Sequence, residues 1–452
     1  MSNNPKVTVY VPSHNYGKYL PDAINSVISQ TIDSWELLLI DDGSSDTTGE
    51  VIKRYRDNPK IRSFRTEKIG LPAVANLALR EAKGKYFVRL DGDDLFDENA
   101  LLVLSNYLDN NPEVALVFPD YYLFDEFGEL YTEKRRKKIT DDNVLLEMPP
   151  NGACTMARVN ILKEIGGYRE DLGVQDGFDL WTKVASKYRC ANVNLPLFYY
   201  RRHQNNVTNN NYRILSAKRK IKNDAVSAKL DSHRPITAVI PCRKNFDFTL
   251  DLWNQRVGGK SLLERRIETC LRSPLFDYVV VASDSPDVKS VMDKFSDRRL
   301  AYFERQYADT HHYKKLKNTL CQVAEKFDPN FEGITVVPYL ASPFVEIGTL
   351  EEAASTLILN NASSSFGVKE LDAPIYKRTE AGFLPVNVKK EITTELDEIY
   401  QDSYTVLAVQ NRNLESGHLM GAKSVGFVVP ESECHFVNSA LSLEIANKIR
   451  SF

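Results

Sequence analysis

Two short apolar runs near the amino terminus, each ending abruptly in polar residues, constrain the fold of this chain most. The first run, Val7–Val11, leads into Pro12–Asn15, and the second run, Leu37–Ile40, leads into Asp41–Asp46. A helical pattern follows each run, and this alternation is typical of βαβ units in a mostly parallel sheet. Because ligands of such sheets bind outside the carboxyl ends of the strands, we expect these polar residues to share one rim.

An acidic run, Asp91–Asp94, places three carboxylates directly after the strand-like stretch Lys85–Val88. Like charges this close repel one another, so they need a cation or a substrate network beside them. Mg²⁺ and Mn²⁺ prefer oxygen ligands and commonly join protein carboxylates to substrate phosphates. The run therefore predicts a metal–diphosphate site on the same rim as Asp41 and Asp42. A solvated turn with acidic helix caps is the structural alternative.

The length of the chain indicates two domains, because 452 residues exceed what one hydrophobic core usually supports. A break at Asp231–Pro235 is followed by a second βαβ series, which begins at Ile236–Ile240 and continues at Tyr278–Ala282. We place the boundary near residue 232 and expect domains at 1–232 and 233–452. The predicted fold class is α/β, with two Rossmann-like domains in tandem.

The composition is that of an ordinary soluble protein, with a net charge of −3 and 26% charged residues, and it gives no reason to expect nucleic-acid binding. The six cysteines lack metal-ligand spacing and are expected to be reduced thiols of a cytoplasmic protein. The start Met1–Pro5 lacks the features of a signal peptide, and no apolar run approaches the ~20 residues that cross a bilayer. The basic run Lys134–Lys138 is either a solvated loop or a contact with an anionic acceptor or the inner face of a membrane.

Residues 1 to about 220 resemble a family 2 glycosyltransferase with the nucleotide-diphospho-sugar transferase fold, known as GT-A. The matching segments occur in the family's order and are Val11–Asn15, Asp41–Asp46, Gly70–Asn76, Asp91–Asp94, Ile165–Tyr168, Gln175–Trp181 and Tyr200–His203. The resemblance implies a metal-dependent, inverting transfer of a sugar from a nucleotide-diphosphate donor, with a UDP-sugar as the first expectation. The implied acceptor is a glycan, a lipid-linked glycan or a protein in surface glycan biosynthesis.

The same resemblance assigns roles to individual residues. Asp93 and Asp91, with His203 as a further ligand, would hold Mn²⁺ or Mg²⁺, which offsets the charge of the departing diphosphate. The implied nucleotide-sugar contacts are Pro12, Asn15, Asp41, Asp42, Asp91 and Arg201. Asp41 could instead cap the helix that follows it, and a lone histidine such as His203 is often structural.

An inverting transfer also needs a general base for the acceptor hydroxyl, commonly a carboxylate. The family supplies this base from a Glu-Asp pair before a helix, and the corresponding pair here is Gln175–Asp176. Asp176 is therefore the predicted base, and glutamine removes one negative charge from the pair. Asp179 lies one helical turn further on, on nearly the same face. Both acids could instead stabilise the helix N-terminus through its dipole.

Most of residues 236–452 resemble the cytidylyltransferases that make CMP-activated acidic sugars, such as CMP-sialic acid and CMP-Kdo. The matching segments are Ile240–Arg243, Gly258–Leu263, Ala282–Asp284, Ala341–Pro343 and Val425–Pro430. The departures weaken the expected chemistry: Lys244–Asp247 replaces a glycine- and lysine-rich phosphate loop, and Asn438 and Ser442 replace aspartates. We therefore predict a degenerate, inactive domain in which Arg243 and Lys260 bind an anion or are plain surface charges.

A further segment, residues 369 to 400 with a turn at Glu380–Val386, resembles the arm through which these synthetases dimerise. We therefore expect a homodimer through the C-terminal domain. Two alternatives stay open. One is a bifunctional enzyme whose C-terminal domain also makes a CMP-activated acidic sugar. The other is a non-catalytic assembly scaffold, against which the intact acidic run argues.

Overall fold

The fold is given by a computed structural model that describes residues 4–134, 152–203, 211–246, 248–306, 316–371, 375–380, 382–386 and 399–449. The chain forms two compact units, Met1–Ile221 and Lys222–Phe452. This division falls inside the helical pattern that follows residue 211, and the domain boundary placed near residue 232 stays a prediction. Each unit has its own sheet of parallel and antiparallel strands with helices, which confirms the predicted α/β class.

The first unit alternates strands and helices along most of its length. Its strands are β1 (Val7–Ser13), β2 (Trp35–Asp42), β3 (Ile61–Thr66), β4 (Tyr86–Arg89), β5 (Leu95–Phe96), β6 (Val114–Asp125), β7 (Leu130–Lys134), β8 (Met156–Arg158) and β9 (Arg189–Arg202). Its helices are α1 (Leu20–Ile28), α2 (Thr48–Lys53), α3 (Leu71–Glu81), α4 (Ala100–Asn110), α5 (Val159–Glu164), α6 (Asp176–Ala185) and α7 (Asn211–Val226), the last of which continues past the division. The strand order is β3-β2-β1-β4-β8-β6-β9-β5, with β7 paired to β6.

The central strands of this sheet are apolar on both faces, because helices cover both sides. Val7, Val9 and Val11 of β1 pack in the core with α1 and α4, whereas Tyr10 packs on the opposite face with α3 and α6. Every residue of β1 and β2 is buried, and both strands extend beyond the apolar runs into polar residues. The parallel pairings of β1 with β2 and with β4 bring the carboxyl ends of all three strands to one edge.

The second unit repeats this architecture with different connections. Its strands are β10 (Ile236–Cys242), β11 (Arg256–Val257), β12 (Lys260–Ser261), β13 (Tyr278–Ser283), β14 (Leu300–Glu304), β15 (Ile334–Pro338), β16 (Ser364–Glu370), β17 (Tyr376–Thr379), β18 (Gly382–Pro385), β19 (Tyr400–Gln410) and β20 (Ser424–Val428). Its helices are α8 (Leu262–Leu271), α9 (Lys289–Met292), α10 (Lys317–Phe327), α11 (Ile347–Leu359), α12 (Asn411–Glu415) and α13 (Ala440–Ile449). The main sheet has the order β14-β13-β10-β15-β19-β16-β20, and β11–β12 and β17–β18 form separate ribbons.

A buried ion pair lies in the core of the second unit. The ammonium of Lys222 lies 3.1 Å from a carboxylate oxygen of Glu352 on α11, and both side chains are almost wholly buried. The same ammonium donates a hydrogen bond to the Thr356 hydroxyl at 3.2 Å. Since charges removed from water are costly unless paired, each partner depends on the other.

Among the described helices of the two units, none has the length and apolar character to span a membrane.

The substitution Lys222→Met is expected to lower the free energy of unfolding by about 3–5 kcal/mol, because it leaves the Glu352 carboxylate buried without its ammonium partner. Chemical denaturation of the full chain measures this loss. The matched control, Lys222→Met combined with Glu352→Leu, removes both charges and should recover most of the stability. A single variant as stable as the wild type would contradict the expectation.

Candidate active site

A cavity of about 910 Å³ lies at the carboxyl edge of the first sheet. Its polar wall includes Pro12, Ser13, His14, Asn15, Asp42, Arg89, Asp91, Asp93, Asp176 and His203. Its apolar wall includes Leu71, Val74, Val174, Phe178 and Ile214. A concave site with an apolar wall and a few convergent polar groups is typical of ligand pockets. Apart from Asp41 and Arg201, the site residues predicted for the N-terminal domain are brought together in this wall.

The acidic run forms a tight turn directly after β4, closed by a hydrogen bond from the backbone N–H of Asp94 to the carbonyl oxygen of Asp91 (3.1 Å). Asp94 is fully buried, and its Oδ1 accepts a hydrogen bond from the backbone N–H of Arg201 (2.8 Å). Burial raises the pKa of Asp94 well above its usual range, and the neighbouring Asp93 and Asp91 carboxylates add to the shift. Asp94 therefore supports the turn from inside the protein.

The other two carboxylates of the turn, Asp91 and Asp93, face the cavity. Burial raises the pKa of Asp91 to about 6, Arg89 opposes this shift, and the carboxylates of Asp93 and Asp176 add to it. Oδ2 of Asp93 lies 2.9 Å from Nε2 of His203. The two carboxylates thus have different surroundings, one beside a cation and the other beside an imidazole.

These residues fit a divalent cation whose coordination a substrate completes. Asp93 and His203 already touch, and the raised pKa of Asp91 shows that its negative charge is incompletely compensated. Within the part of the chain that the structure describes, no three His, Cys, Asp or Glu side chains form a group that holds a metal ion by themselves. Mg²⁺ and Mn²⁺ commonly take only one or two protein carboxylates and obtain their other ligands from water and phosphate oxygens.

Arg201 lies behind the acidic turn, and it is not among the residues that line the cavity. Its Nε donates a hydrogen bond to the carbonyl oxygen of Asp93 (2.8 Å), and its guanidinium lies between the rings of Tyr19 (4.7 Å) and Phe124 (4.4 Å). The ring of Tyr19 also stacks on His203, with 5.4 Å between centroids. Arg201 thus holds the backbone of Asp93 in place through this hydrogen bond. Its contact with the nucleotide sugar stays a prediction.

Asp41 and Asp42 point to opposite faces of the sheet, as successive residues of a strand do. The carboxylate of Asp42 lines the cavity and accepts hydrogen bonds from the backbone N–H groups of Ile69 (2.7 Å) and Gly70 (2.9 Å). The carboxylate of Asp41 instead accepts a hydrogen bond from the backbone N–H of Ser44 (2.8 Å). Asp41 therefore stabilises the turn that follows β2 and does not cap α2, whose N-cap residue is Thr47, and it is not among the residues that line the cavity.

The loop after β1 is fastened to the loop after β2. Asn15 has a left-handed φ of 61°, its backbone N–H donates to the hydroxyl of Ser44 (2.9 Å), and its Oδ1 accepts from the backbone N–H of Ser45 (2.8 Å). Nδ1 of His14 lies 2.8 Å from the carbonyl oxygen of Asp42. These bonds fix the shape of the loop that the resemblance assigns to the nucleoside.

Asp176 is the first residue of α6 and follows Gln175, whose backbone has a left-handed φ of 63°. The sharp turn directs the buried Asp176 carboxylate into the cavity wall. Asp179, although only one turn further on, forms an ion pair with Lys183 (2.7 Å) and is not among the residues that line the cavity. The two acids of the helix start are thus separated, and Asp176 alone adjoins Asp91 and Arg89.

Arg89 is the residue that sequence reasoning missed. It is the last residue of β4, its side chain is 9% exposed, and its Nη1 donates a hydrogen bond to Oδ2 of Asp176 at 2.6 Å. Its Nε lies 3.0 Å from Oδ1 of Asp91. The available signal was its position: a cation that directly precedes an acidic run at a strand end is well placed to neutralise it.

The predicted anion ligands of the second unit have other partners. Lys260 lies on β12 and donates hydrogen bonds to both carboxylate oxygens of Glu268 (2.7 and 2.8 Å), so its charge is already satisfied. The guanidinium of Arg243 lies 4.5 Å from the ring centre of Phe246. Asp247 of the altered phosphate loop and residues 135–138 of the basic run lie outside the described residues.

Asn438 and Ser442, which replace aspartates of the cytidylyltransferase family, carry uncharged side chains. The hydroxyl of Ser442 accepts hydrogen bonds from the backbone N–H groups of Asn438 and Ser439 (2.9 Å each). An aspartate pair at these positions would have offered carboxylate oxygens to a cation, which a serine hydroxyl and an amide replace poorly. The local structure is therefore a hydrogen-bonded helix start for α13.

Comparison with known families gives one match in each unit. Residues 8–166 match the model of "Glycosyl transferase family 2", and residues 255–425 match the model of "Cytidylyltransferase". The first unit therefore carries a family 2 glycosyltransferase domain, and the second carries a cytidylyltransferase-like domain. Both recognitions made from the motifs are confirmed.

Curated relatives match part of the chain. An uncharacterised glycosyltransferase of Rickettsia typhi is 31% identical over 198 residues, which are 41% of this chain and 61% of the relative. A glycosyltransferase of Rickettsia conorii is 28% identical over 200 residues, which are 43% of this chain and 32% of the relative. Escherichia coli chondroitin synthase is 24% identical over 251 residues, 53% of this chain and 36% of the relative. The chain thus spans less than two thirds of these relatives' lengths.

Solved structures resemble parts of the chain at low sequence identity. S. aureus TarS in complex with UDP-GlcNAc is 18% identical, with a TM-score of 0.43, and the match covers 49% of this chain and 67% of that one. A 4-diphosphocytidyl-2C-methyl-D-erythritol synthase from Anaerococcus prevotii is 13% identical, with a TM-score of 0.38, and the match covers 50% of this chain and 100% of that one.

The substitution Asp42→Ala is expected to lower the free energy of unfolding by about 2 kcal/mol, because it removes the acceptor of two backbone N–H groups at the start of α3. Urea denaturation measures this loss. Asp42→Asn keeps one side-chain oxygen and is the matched control, with a smaller expected loss. Equal stabilities of Asp42→Ala and wild type would show that these hydrogen bonds contribute nothing.

Proposed function

We propose that the N-terminal domain transfers a sugar from a nucleotide-diphosphate donor to a hydroxyl group of an acceptor, with inversion at the anomeric carbon. The observation that carries this proposal is the convergence of Asp91, Asp93, His203 and Asp176 on one cavity. The family match and the names of the curated relatives support a glycosyltransferase. A UDP-sugar is the donor that the family resemblance favours, and the name of the chondroitin synthase relative favours a glycan acceptor.

The donor end of the cavity is formed by the loops after β1, β2 and β4. The loop of Pro12 and Asn15, with the Asp42 carboxylate, would contact the nucleoside. Asp91, Asp93 and His203 would hold Mn²⁺ or Mg²⁺ together with the diphosphate. When bound, the cation supplies positive charge that stabilises the leaving nucleoside diphosphate.

In this proposal Asp176 is the general base for the acceptor hydroxyl. As the acceptor oxygen forms its bond to the anomeric carbon, the carboxylate of Asp176 takes the hydroxyl proton, and the bond from the anomeric carbon to the diphosphate oxygen breaks. One displacement of this kind inverts the anomeric configuration. Asp176 is almost completely buried and lies in the cavity wall, so the carboxylate is reached from the cavity.

A donor panel tests the proposal first. We expect one nucleotide sugar, in the presence of Mn²⁺, to stabilise the full chain against heat, by about 2.7 kcal/mol at a concentration of 100 Kd. With that donor, Asp176→Asn should lower kcat by about 10²–10⁴-fold at unchanged donor affinity, and Asp93→Ala should abolish the Mn²⁺-dependent stabilisation. Asp179→Asn, on the same helix, is the matched control and should keep near wild-type turnover. Full activity of both site variants would show that the assignment of Asp176 and Asp93 to the site is wrong, whereas a wild-type chain without turnover on any donor would favour the scaffold.

For the C-terminal domain we propose a role in forming a homodimer. The β17–β18 ribbon presents apolar side chains to solvent: Tyr376 is 55% exposed, Phe383 is 71% exposed, and Leu384 is 54% exposed. Exposed apolar clusters of this kind mark interaction surfaces. The uncharged side chains of Asn438 and Ser442 and the pairing of Lys260 with Glu268 support the absence of cytidylyl transfer.

The substitution Phe383→Asp is expected to convert a dimer into a monomer, because a dimer interface would bury that carboxylate without a partner. Light scattering behind a sizing column measures the mass, and Leu441→Asp, at an exposed position of α13, is the matched control. A wild-type chain that is monomeric would contradict the dimer. Pyrophosphate release from CTP with an acidic sugar would favour the bifunctional alternative.

A further inference from the structure

Arg89 contacts two carboxylates that come from distant parts of the chain, and the two contacts differ. Its Nη1 donates an aligned hydrogen bond to Oδ2 of Asp176 at 2.6 Å. Toward Asp91 its Nε lies 3.0 Å from Oδ1, but the N–H is not aligned on that oxygen, so this contact is an ion pair. Its Nη2 reaches the other oxygen of Asp91 only at 3.5 Å. Arg89 therefore holds Asp176 firmly and Asp91 loosely.

The surroundings of Arg89 leave its guanidinium little freedom. Tyr10 pairs with Arg89 across the β1–β4 register, and the backbone N–H of Cys154 donates to the Arg89 carbonyl oxygen (2.8 Å). On the other side, a Cβ atom added to Gly152 would lie 2.4 Å from Nη2 of Arg89. Position 152 thus packs directly against the guanidinium, and its lack of a side chain makes room for it.

We propose that Arg89 is a positioning residue for the transfer reaction: it fixes the Asp176 carboxylate relative to the donor end of the cavity. This inference rests on the proposed function, in which Asp176 is the base. The aligned bond occupies Oδ2 of Asp176 and leaves Oδ1 as the oxygen that faces the acceptor. The looser contact leaves Asp91 able to engage the cation that accompanies the diphosphate.

The competing explanation is that Arg89 only neutralises two buried carboxylates. The guanidinium and an ammonium differ in a way that separates the explanations. Both carry one positive charge, but only the planar guanidinium directs several N–H groups at fixed angles. A lysine at this position therefore keeps the neutralisation and loses the orientation.

The test is Arg89→Lys in the full chain, assayed with the donor found by the panel. We expect kcat to fall by about 100-fold, since a displacement of the base by about 1 Å has an effect of this size, whereas the donor KM stays close to the wild-type value. An unchanged kcat would overturn the proposal. So would a raised donor KM at unchanged kcat, because Arg89 would then act through Asp91 alone.

A double-mutant cycle sharpens the result. If Arg89 acts through Asp176, the variant with both Arg89→Lys and Asp176→Asn should be no slower than Asp176→Asn alone. Losses that multiply would overturn the proposal. Gly152→Ala provides a second route, because it displaces Arg89 without changing its charge and should reproduce the fall in kcat. Normal turnover of Gly152→Ala with a displaced guanidinium would also count against the proposal.

A structural measurement separates this inference from the proposed function. In a crystal structure of Arg89→Lys, we expect the Asp176 carboxylate to be rotated from its wild-type position while the backbone of α6 is unchanged. A carboxylate that stays in place would overturn the positioning role whatever the reaction is. A wild-type chain inactive with every donor would refute the proposed function, and the crystal structure would still decide the role of Arg89.

Discussion

The concentration of negative charge at one sheet edge is the constraint on which the first unit depends. Asp91, Asp93 and Asp94 cannot all be ionised side by side without compensating positive charge or hydrogen bonds. Each of the three carboxylates has a different neighbour. Asp91 lies beside Arg89, Asp93 lies beside His203, and Asp94 is buried against a backbone N–H. Compensation remains incomplete, as the raised pKa of Asp91 shows. Because negative charge at this edge is incompletely compensated, the edge favours a ligand that brings a cation together with its phosphates. This is the ligand that the proposed function requires.

Much of the fold could be predicted from the sequence, because buried parallel strands have uninterrupted apolar runs. The runs at Val7–Val11 and Leu37–Ile40 became β1 and β2, but both strands are longer than the runs. Polar residues extend them, since backbone N–H groups satisfy the buried carboxylates of Asp41 and Asp42. The alternation of side chains along a strand already implied that these two aspartates face opposite ways. Only Asp42 lines the cavity.

The rest of the site depends on contacts between residues that are far apart in sequence. A charged residue at the end of β4 is ordinarily a surface residue, and only the packing of α6 against it shows that Arg89 is buried. The same holds for Lys260, whose motif resembles an anion ligand but whose ammonium is held by Glu268. The order of the motifs therefore predicted which segments form the site. The ion pairs and hydrogen bonds between side chains of those segments could be identified only from the structure.

The contact between Asp93 and His203 joins positions 110 residues apart, with the histidine directly after β9. Contacts of such separation close a long loop, whose entropic cost is larger than that of a local contact. During synthesis, the amino-terminal strands and the acidic turn leave the ribosome well before the histidine does. A nascent chain that already has its first strands therefore still lacks the contact between Asp93 and His203, and the proposed rim is complete only when β9 is in place.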